Sequence, residues 1–182
     1  EMDRLISEDF FEDDFKGVRD KCIVFILFST GIRLSELITV KVSDVSNGVV
    51  RVLGKRNKER DVPVSANLLE LIDYYRSLRS SVAKENCPFL LVTNKGDKLY
   101  EKFVFRTVKH YLGLVTTQKK KSPYILRHTF ATQMLNNGAD LNAIKELLGH
   151  VDLTATQVYT HNSIEKLKGI YKQAHPRSEN KN

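Results

Sequence analysis

Apolar positions follow two different periods along this chain, and each period predicts a different element. From Val18 to Phe28 the residues are apolar almost all round, and Gly31 follows them, which predicts a buried helix that ends at a glycine. A second, short helix is predicted to begin near Leu34 and to end before the pair Ser43-Asp44. The first part of the chain is therefore expected to be helical.

β-Branched residues form two short, partly alternating runs after these helices. The runs 49–53 and 60–64 are joined by the basic segment 54–59, which predicts a β-hairpin with a basic tip. A further short strand is predicted over 89–92, and a turn follows it at 94–96. The sheet is therefore expected to be small and antiparallel.

Helical spacing of apolar residues covers most of the remaining chain. It predicts helices over 66–80 and 101–111, with a polar, basic loop at 116–121. Four more helices are predicted after residue 121, and Tyr159 lies on the third of these four. Their boundary residues are Ser122-Pro123, Gly138, Asp140, Gly149, Asp152, Ser163 and Pro176. The fold is thus predicted to be mainly α with a small antiparallel β-sheet, in the α+β class.

Length and cysteine content limit the class of protein. A chain of 182 residues fits one soluble domain, which at this size buries roughly 70% of its unfolded surface and needs neither metal nor disulfide for stability. Cys22 and Cys87 lie in no CxxC or Cys/His pair, which disfavours a zinc site and favours a reducing, intracellular setting. The longest apolar run, 22–28, is too short for a bilayer, and we expect no signal peptide or transmembrane helix.

Charge is distributed unevenly along the chain. The first 14 residues hold seven acids against Arg4 alone, a charge of −6, so the remainder carries +13 of the total of +7. A body this basic attracts polyanions, of which nucleic acid is the commonest. The acidic start is predicted to be a solvated linker or first turn, and shielding of the basic body is the alternative.

Five chemically active residues stand at predicted element boundaries, where side chains can converge on one point of the surface. Together they supply two guanidiniums, an ammonium, an imidazole and a phenol, without paired carboxylates or a metal-ligand cluster. Arginine grips phosphate oxygens, histidine and lysine transfer protons, and tyrosine can act as a nucleophile. The set suits an anionic transition state, and its members are Arg33, Lys55, Arg127, His150 and Tyr159.

Each of these residues also has an ordinary structural explanation. A single tyrosine on a helix is more often half-buried core than a nucleophile, and His150 could cap the helix before it. The basic residues of the hairpin, including Arg60, would usually form a solvated turn. His128 is expected to be a buried hydrogen-bonding residue rather than a catalyst.

Five motifs, taken together, resemble the tyrosine recombinase (phage integrase) family in order and spacing. The resemblance covers about residues 15–176 and is closest to Xer-type chromosome-dimer recombinases and the integrases of mobile elements. It implies the catalytic-domain fold of that family. The motifs are TGIRLSEL at 30–37, GKRNKER at 54–60, LRHTFAT at 126–132, LLGH at 147–150 and YTH at 159–161.

The resemblance implies a reaction and a role for each residue. Tyr159 would attack a DNA phosphate to form a 3′-phosphotyrosyl link, while Arg33 and Arg127 stabilise the charge of the transition state. Lys55 would be the general acid and His150 would hydrogen-bond the phosphate. The remaining implied roles are structural support from Glu36 and His128, with no cofactor and no metal.

One position departs from the family pattern. Three residues before Arg127 the family most often has His or Lys, whereas this chain has Tyr124. A phenol donates hydrogen bonds but is a poor proton shuttle near neutrality, so we expect Tyr124 to contact phosphate and activity to be lowered rather than lost. Relaxation of supercoils, as by type IB topoisomerases, and a DNA-binding relative that lost cleavage are the alternatives.

The resemblance also carries expectations for domains, partners and location. Residues 1–14 are expected to derive from an interdomain linker after an absent N-terminal core-binding domain, with the catalytic domain at 15–176 and a polar tail at 177–182. The expected location is the prokaryotic cytoplasm, at the nucleoid. Double-stranded DNA is the implied partner, and the predicted backbone contacts are Arg56, Lys58, Lys119, Lys120 and Lys121.

The last predicted helix has two possible roles. Its apolar stripe could pack on its own domain, or it could dock on a neighbouring protomer of a tetramer on DNA, as the resemblance implies. The isolated domain is expected to be a monomer or to exchange this helix. The stripe consists of Ile164, Leu167, Ile170 and Tyr171.

Overall fold

The longest helix in the described part of the chain, α1, lies at the centre of the fold. The computed structural model describes residues 4–5, 10–54, 57–117, 120–149 and 161–175. Helix α1 spans Phe15–Thr30, begins where the side chain of Asp14 accepts a hydrogen bond from the Gly17 N–H, and ends at Gly31. It is buried on nearly every side, as predicted, because four other helices of the described residues pack around it.

Helix α2 follows at Leu34–Leu37 and is shorter than predicted. The chain leaves the helix at Ile38 and forms a 3₁₀ turn at Val42–Asp44 instead of continuing to residue 42. The residues in between include Thr39 and Val40, whose β-branched side chains lose rotamer freedom in a helix. The polar Ser43-Asp44 boundary is therefore a 3₁₀ turn rather than a helix end.

The sheet is antiparallel, as predicted, and has three strands in the order β1-β2-β3. Strand β1 is Val45–Ser46, β2 is Val49–Leu53 and β3 is Glu59–Pro63, and Val50 pairs with Val62. The predicted hairpin is thus confirmed, and β1 is an addition. The turn between β1 and β2 is Asn47-Gly48, and φ is positive at both residues. An Asn-Gly pair of this kind is the strongest short-range hairpin signal in a sequence.

Helix α3, Ala66–Arg79, supplies hydrogen bonds to the segment 89–92, where a strand was predicted. That segment makes only isolated bridges, Lys41 to Phe89 and Val92 to Lys98, so the strand prediction is wrong. The guanidinium of Arg79 donates to the Phe89 and Leu90 carbonyls, which therefore need no partner strand.

The described residues of the C-terminal half are mainly helical, as predicted. Helix α4 extends to residue 115 rather than 111, and α6 begins at the predicted cap, where the Asp140 side chain accepts from the N–H groups of residues 142 and 143. The predicted helix that carries Tyr159 lies outside the described residues. The four helices are α4 at Glu101–Val115, α5 at Pro123–Asn136, α6 at Leu141–Leu148 and α7 at His161–Ala174.

The described part of α7 packs on its own domain. Leu167 and Tyr171 are buried, and the side-chain amide of Asn137, the residue directly after α5, donates to the Ala174 carbonyl at 2.7 Å. Within the described ranges, no helix combines the length and apolarity that crossing a bilayer requires. The predicted class, mainly α with a small antiparallel sheet, is confirmed.

Candidate active site

Arg33 is placed by the break between α1 and α2. Gly31 adopts a φ of 62°, and its N–H donates to the Leu27 carbonyl at 3.0 Å, which ends α1 and turns the chain. The backbone N–H of Arg33 then donates to Glu36 Oε2 at 2.7 Å, and its Nη1 donates to Glu36 Oε1 at 2.9 Å. The guanidinium is 30% exposed, so it stays accessible to a ligand.

The glycine at this break is required for space as well as for conformation. A Cβ on Gly31 would lie 2.5 Å from Cδ1 of Phe130 and 2.8 Å from Cδ2 of Leu148. Because both contacts are closer than carbon atoms tolerate, α1, α5 and α6 approach one another here only without a side chain.

Gly31→Ala is therefore expected to lower the free energy of unfolding by about 2–4 kcal/mol, the sum of a left-handed residue and an overpacked contact. Gly138→Ala should cost only about 1 kcal/mol, because φ is also positive there but nothing lies within 4 Å. Gly113→Ala, in open space on α4, should stabilise by about 0.5–1 kcal/mol. Urea unfolding of the three variants measures these differences, and equal losses at residues 31 and 138 would refute the packing argument.

Arg127 extends from α5 across the gap between α1 and α6. Its Nη1 donates to the Gly31 carbonyl and its Nη2 donates to the Leu148 carbonyl at 2.8 Å. Burial, followed by the nearby charge of Arg33, lowers the pKa of this guanidinium to about 10. Arg127 stays charged near neutrality, but its charge is held in a place that favours an anion beside it.

Three arginines bind three consecutive carbonyls at the C-terminal end of α6. Arg60 Nε donates to Leu147 at 2.8 Å, Arg127 Nη2 donates to Leu148, and Arg33 Nη2 donates to Gly149 at 3.1 Å. The last carbonyls of a helix have no partners within the helix, and its dipole makes them attractive to cations. The end of α6 thus orients all three guanidiniums.

Glu36 is the carboxylate shared by this cluster. It is buried, and Arg60 donates to both of its oxygens, from Nη1 to Oε1 at 2.7 Å and from Nη2 to Oε2 at 3.0 Å. Burial by itself would raise the pKa of Glu36, but the hydrogen bonds and charge of Arg60, followed by those of Arg33, hold it below its ordinary value. The carboxylate is therefore ionised near neutrality and fixed on both sides.

Arg60 is the member of the cluster that the sequence led us to misplace. The hairpin was expected to present it to solvent, whereas the side chain is only 6% exposed. It sits at the second pair of the hairpin after the tip, opposite Val52, and the alternation of β3 turns it inward with Val62. The alternation of residues along 60–64, with a period of two, was the sequence signal that could have predicted this burial.

The structure brings together Arg33, Glu36 and Arg127 from the predicted set. Tyr124 is 81% exposed on the first turn of α5. Burial is the main cause that lowers the pKa of Arg127, three residues further along the same helix, and Tyr124 acts in the opposite direction. His128 is exposed, so its predicted burial is wrong: the buried face of α5 contains Leu126 and the residues one and two turns on, and residue 128 lies off that face.

The remaining predicted residues lie outside the cluster or outside the described ranges. Lys58 and Lys120 are exposed, and Lys121 is half-buried. The predictions for five residues fall outside the described ranges: Lys55, Arg56, Lys119, His150 and Tyr159. The chain positions just before two of them, Gly54 and Gly149, both lie beside Arg60.

The arrangement is chemically a receptor for an oxyanion. The cluster holds three guanidiniums but one carboxylate, which binds two of them, so it has excess positive charge that attracts an anion such as a phosphodiester. Among the described residues, no group of three or more His, Cys, Asp or Glu side chains could hold a metal ion. The described chemistry is therefore electrostatic binding of an anion by arginine.

Comparison with known proteins agrees with this geometry. The family model described as "Phage integrase family" matches residues 1–166. The chain belongs to the phage integrase family. Its resemblance to tyrosine recombinases, first seen in five motifs, is thereby confirmed, as is the Xer type.

Individual members of the phage integrase family show how far the similarity extends. Tyrosine recombinase XerC of Pelotomaculum thermopropionicum is 39% identical over 170 residues, covering 89% of this chain and 56% of that protein. The crystal structure of XerA recombinase is 33% identical with a TM-score of 0.69, covering 88% of this chain and 59% of that one. The Tn1549 transposon integrase in complex with circular intermediate DNA shares the fold, with 23% identity, a TM-score of 0.66 and coverage of 91% and 61%. The chain spans about half the length of the curated relatives it matches.

Proposed function

We propose that this chain is the catalytic domain of a site-specific DNA recombinase, which cuts and rejoins DNA through a 3′-phosphotyrosyl intermediate. The observation that carries the proposal is the pair Arg33 and Arg127, whose guanidiniums are oriented by neighbouring carbonyls at the end of α6. Two fixed forks of this kind fit the non-bridging oxygens of one phosphodiester. The XerC and XerA relatives support recombination as the use of that chemistry.

The proposed reaction exchanges one phosphorus–oxygen bond for another. The Tyr159 oxygen attacks phosphorus and gives up its proton to solvent, the bond to the 5′-oxygen breaks, and that oxygen takes a proton from Lys55 and leaves as a 5′-hydroxyl. Arg33 and Arg127 stabilise the negative charge that accumulates on phosphorus oxygens in the transition state, and His150 hydrogen-bonds the same oxygens. A 5′-hydroxyl of another strand reverses the step without an external energy source.

Covalent trapping tests this proposal. The probe is a nicked duplex carrying a sequence that this chain selects from random DNA, in which the fragment beyond the cut diffuses away. We expect an adduct that survives SDS, with the DNA joined by its 3′ end and a free 5′-hydroxyl on the released fragment. The presence of an adduct separates this reaction from hydrolysis, which leaves none, and the joined DNA end shows the polarity of the link.

Tyr124 stands where the family most often has His or Lys, so it affects how the absence of an adduct is interpreted. If DNA binds but no adduct forms, the same assay with Tyr124→His supplies the side chain usual in the family. An adduct with Tyr124→His alone would show that the phenol lowers cleavage. No adduct with either protein would contradict the proposed reaction and leave a DNA-binding protein in its place.

DNA contacts are proposed for Lys120 and Lys121, which directly precede α5. Each phosphate neutralised by a lysine releases counterions, so binding weakens as salt increases. The double variant Lys120→Gln/Lys121→Gln should lower the slope of log affinity against log salt by about 1.8, twice the contribution of one phosphate contact. Fluorescence anisotropy over a salt series measures the slope. The charge-matched control is Lys84→Gln/Lys95→Gln, and equal slopes for both double variants would contradict the contact.

Assembly into a tetramer through α7 stays a prediction. Leu167 and Tyr171 are already buried on their own domain, so docking on a second protomer requires this helix to leave its present site. This packing supports a monomer for the isolated chain. Light scattering of the chain with and without bound DNA tests the prediction.

A further inference from the structure

Arg60 holds a central place in the cluster without a role in the reaction proposed above. Its side chain is 6% exposed, and every nitrogen of its guanidinium donates a hydrogen bond within the protein. Nε binds the Leu147 carbonyl, and Nη1 and Nη2 bind the two oxygens of Glu36. Arg60 therefore joins the hairpin to α2 and to the end of α6.

The contact with Glu36 determines how much of that carboxylate is available to Arg33. Oε1 of Glu36 accepts from Nη1 of both arginines, at 2.9 Å from Arg33 and 2.7 Å from Arg60. Without Arg60, the carboxylate would be free to turn and take both terminal nitrogens of Arg33 in the two-point geometry that such pairs prefer. Nη2 of Arg33 would then leave the Gly149 carbonyl that orients it.

We propose that Arg60 is a positioning residue for the reaction: it clamps Glu36 and the Leu147 carbonyl, and thereby keeps Arg33 directed at the phosphate. The proposal rests on the proposed function. Arg60 does not touch the reacting atoms, so its influence on the rate passes through Arg33. It is not one of the residues that the family resemblance assigned to the site.

Two glycines show that the clamp is closely fitted. A Cβ on Gly149 would lie 2.9 Å from Nη1 and 3.0 Å from Cζ of Arg60. A Cβ on Gly54 would lie 3.5 Å from Arg60 Nη1 and 3.6 Å from Glu36 Oε1. Any side chain at residue 149 would thus push against the guanidinium. The backbone directly before two further predicted catalytic groups is packed around the same arginine.

The rate of adduct formation on the nicked duplex tests the proposal. Arg60→Gln should lower the single-turnover rate on the order of 100-fold, the cost of a displaced catalytic group. Arg60→Lys should recover part of the loss, because an ammonium keeps the charge but cannot reach Glu36 and Leu147 together. The matched control is Arg51→Gln, an exposed arginine on the same hairpin paired with Asp61, which should stay within about twofold of the unaltered chain. All rates are taken well below the melting temperature of each variant.

A neutral linkage distinguishes positioning from a general structural effect. A methylphosphonate at the cut site removes the charge of one non-bridging oxygen, and with it much of the need for Arg33. If Arg60 acts through Arg33, the loss in Arg60→Gln should shrink to about tenfold or less on this substrate. An equal loss on both substrates, or no loss on either, would overturn the proposal.

The ionisation of Glu36 provides a second test that needs no DNA. A carbon-detected NMR titration should show the pKa of Glu36 rising in Arg60→Gln and unchanged in Arg51→Gln, because Arg60 is the main charge that lowers it. An unchanged pKa in Arg60→Gln would overturn the clamp. This measurement separates failure of the clamp from failure of the cleavage reaction, since it does not depend on an adduct.

Discussion

Tyr159→Phe is expected to abolish the covalent adduct on the nicked duplex while leaving DNA binding within about twofold of the unaltered chain. The change removes one oxygen atom, which is the atom proposed to form the bond to phosphorus. Electrophoresis in SDS with labelled DNA measures the adduct, and anisotropy measures binding. The expected adduct signal for the variant is the background of the assay.

A second tyrosine provides the control for that experiment. Tyr100 is 52% exposed at the start of α4, and Tyr100→Phe removes the same oxygen from a residue without a proposed role. It should form the adduct at the rate of the unaltered chain. An adduct that persists in Tyr159→Phe would assign the nucleophile to another residue, and peptide mapping of the linked DNA would identify it.

Much of the site was predictable because its residues stand next to backbone signals. Gly31 and Gly149 end helices in left-handed conformations, and the arginine and histidine motifs follow them directly along the chain. Such stops are readable from composition and periodicity alone. The proximity of Arg33 and Arg127 in space could not be predicted from periodicity, because the two residues are 94 positions apart in the chain. Only the family resemblance placed them in one site.

Arg60 illustrates what local sequence cannot provide. A charged residue on a basic hairpin is solvated in most proteins, and nothing within the hairpin predicts its carboxylate partner 24 residues earlier. Burial becomes favourable only because Glu36 and the Leu147 carbonyl satisfy the whole guanidinium. That compensation comes from two elements outside the hairpin, α2 and α6, so it belongs to tertiary structure.

The wrong strand at 89–92 has a similar cause. The segment is apolar throughout, but the Arg79 side chain satisfies the carbonyls of Phe89 and Leu90, and the Val92 N–H donates to the Tyr75 hydroxyl at 3.1 Å. Strand propensity describes fit to a pleated surface rather than a guaranteed partner. A helix that supplies donors and acceptors from its side chains can take the place of a neighbouring strand.

Arginine contacts with helix-end carbonyls explain how the fold orients the guanidiniums of the site before any ligand binds. Arg127 spans from the Gly31 carbonyl to the Leu148 carbonyl, so its orientation depends on the ends of two helices at once. The lowered pKa of its guanidinium, about 10, records the cost of holding that charge in a half-buried position beside Arg33. A bound phosphodiester would relieve that cost, and it would relieve it most in the transition state, where the charge on the oxygens is greatest.

Arg127→Ala is accordingly expected to lower the single-turnover rate of adduct formation by about 10³-fold, the upper range for loss of one charge-stabilising donor. DNA affinity should fall by less than about tenfold, because backbone contacts are spread over many lysines and arginines. Arg127→Lys should also be strongly impaired, since a point charge cannot bind both carbonyls and the phosphate as a planar fork does. Rates from quenched SDS gels and affinities from anisotropy at one salt concentration separate the two effects, with Arg51→Ala as the exposed control. A fall in affinity as large as the fall in rate would mean that Arg127 binds the ground state and would contradict its assignment to the transition state.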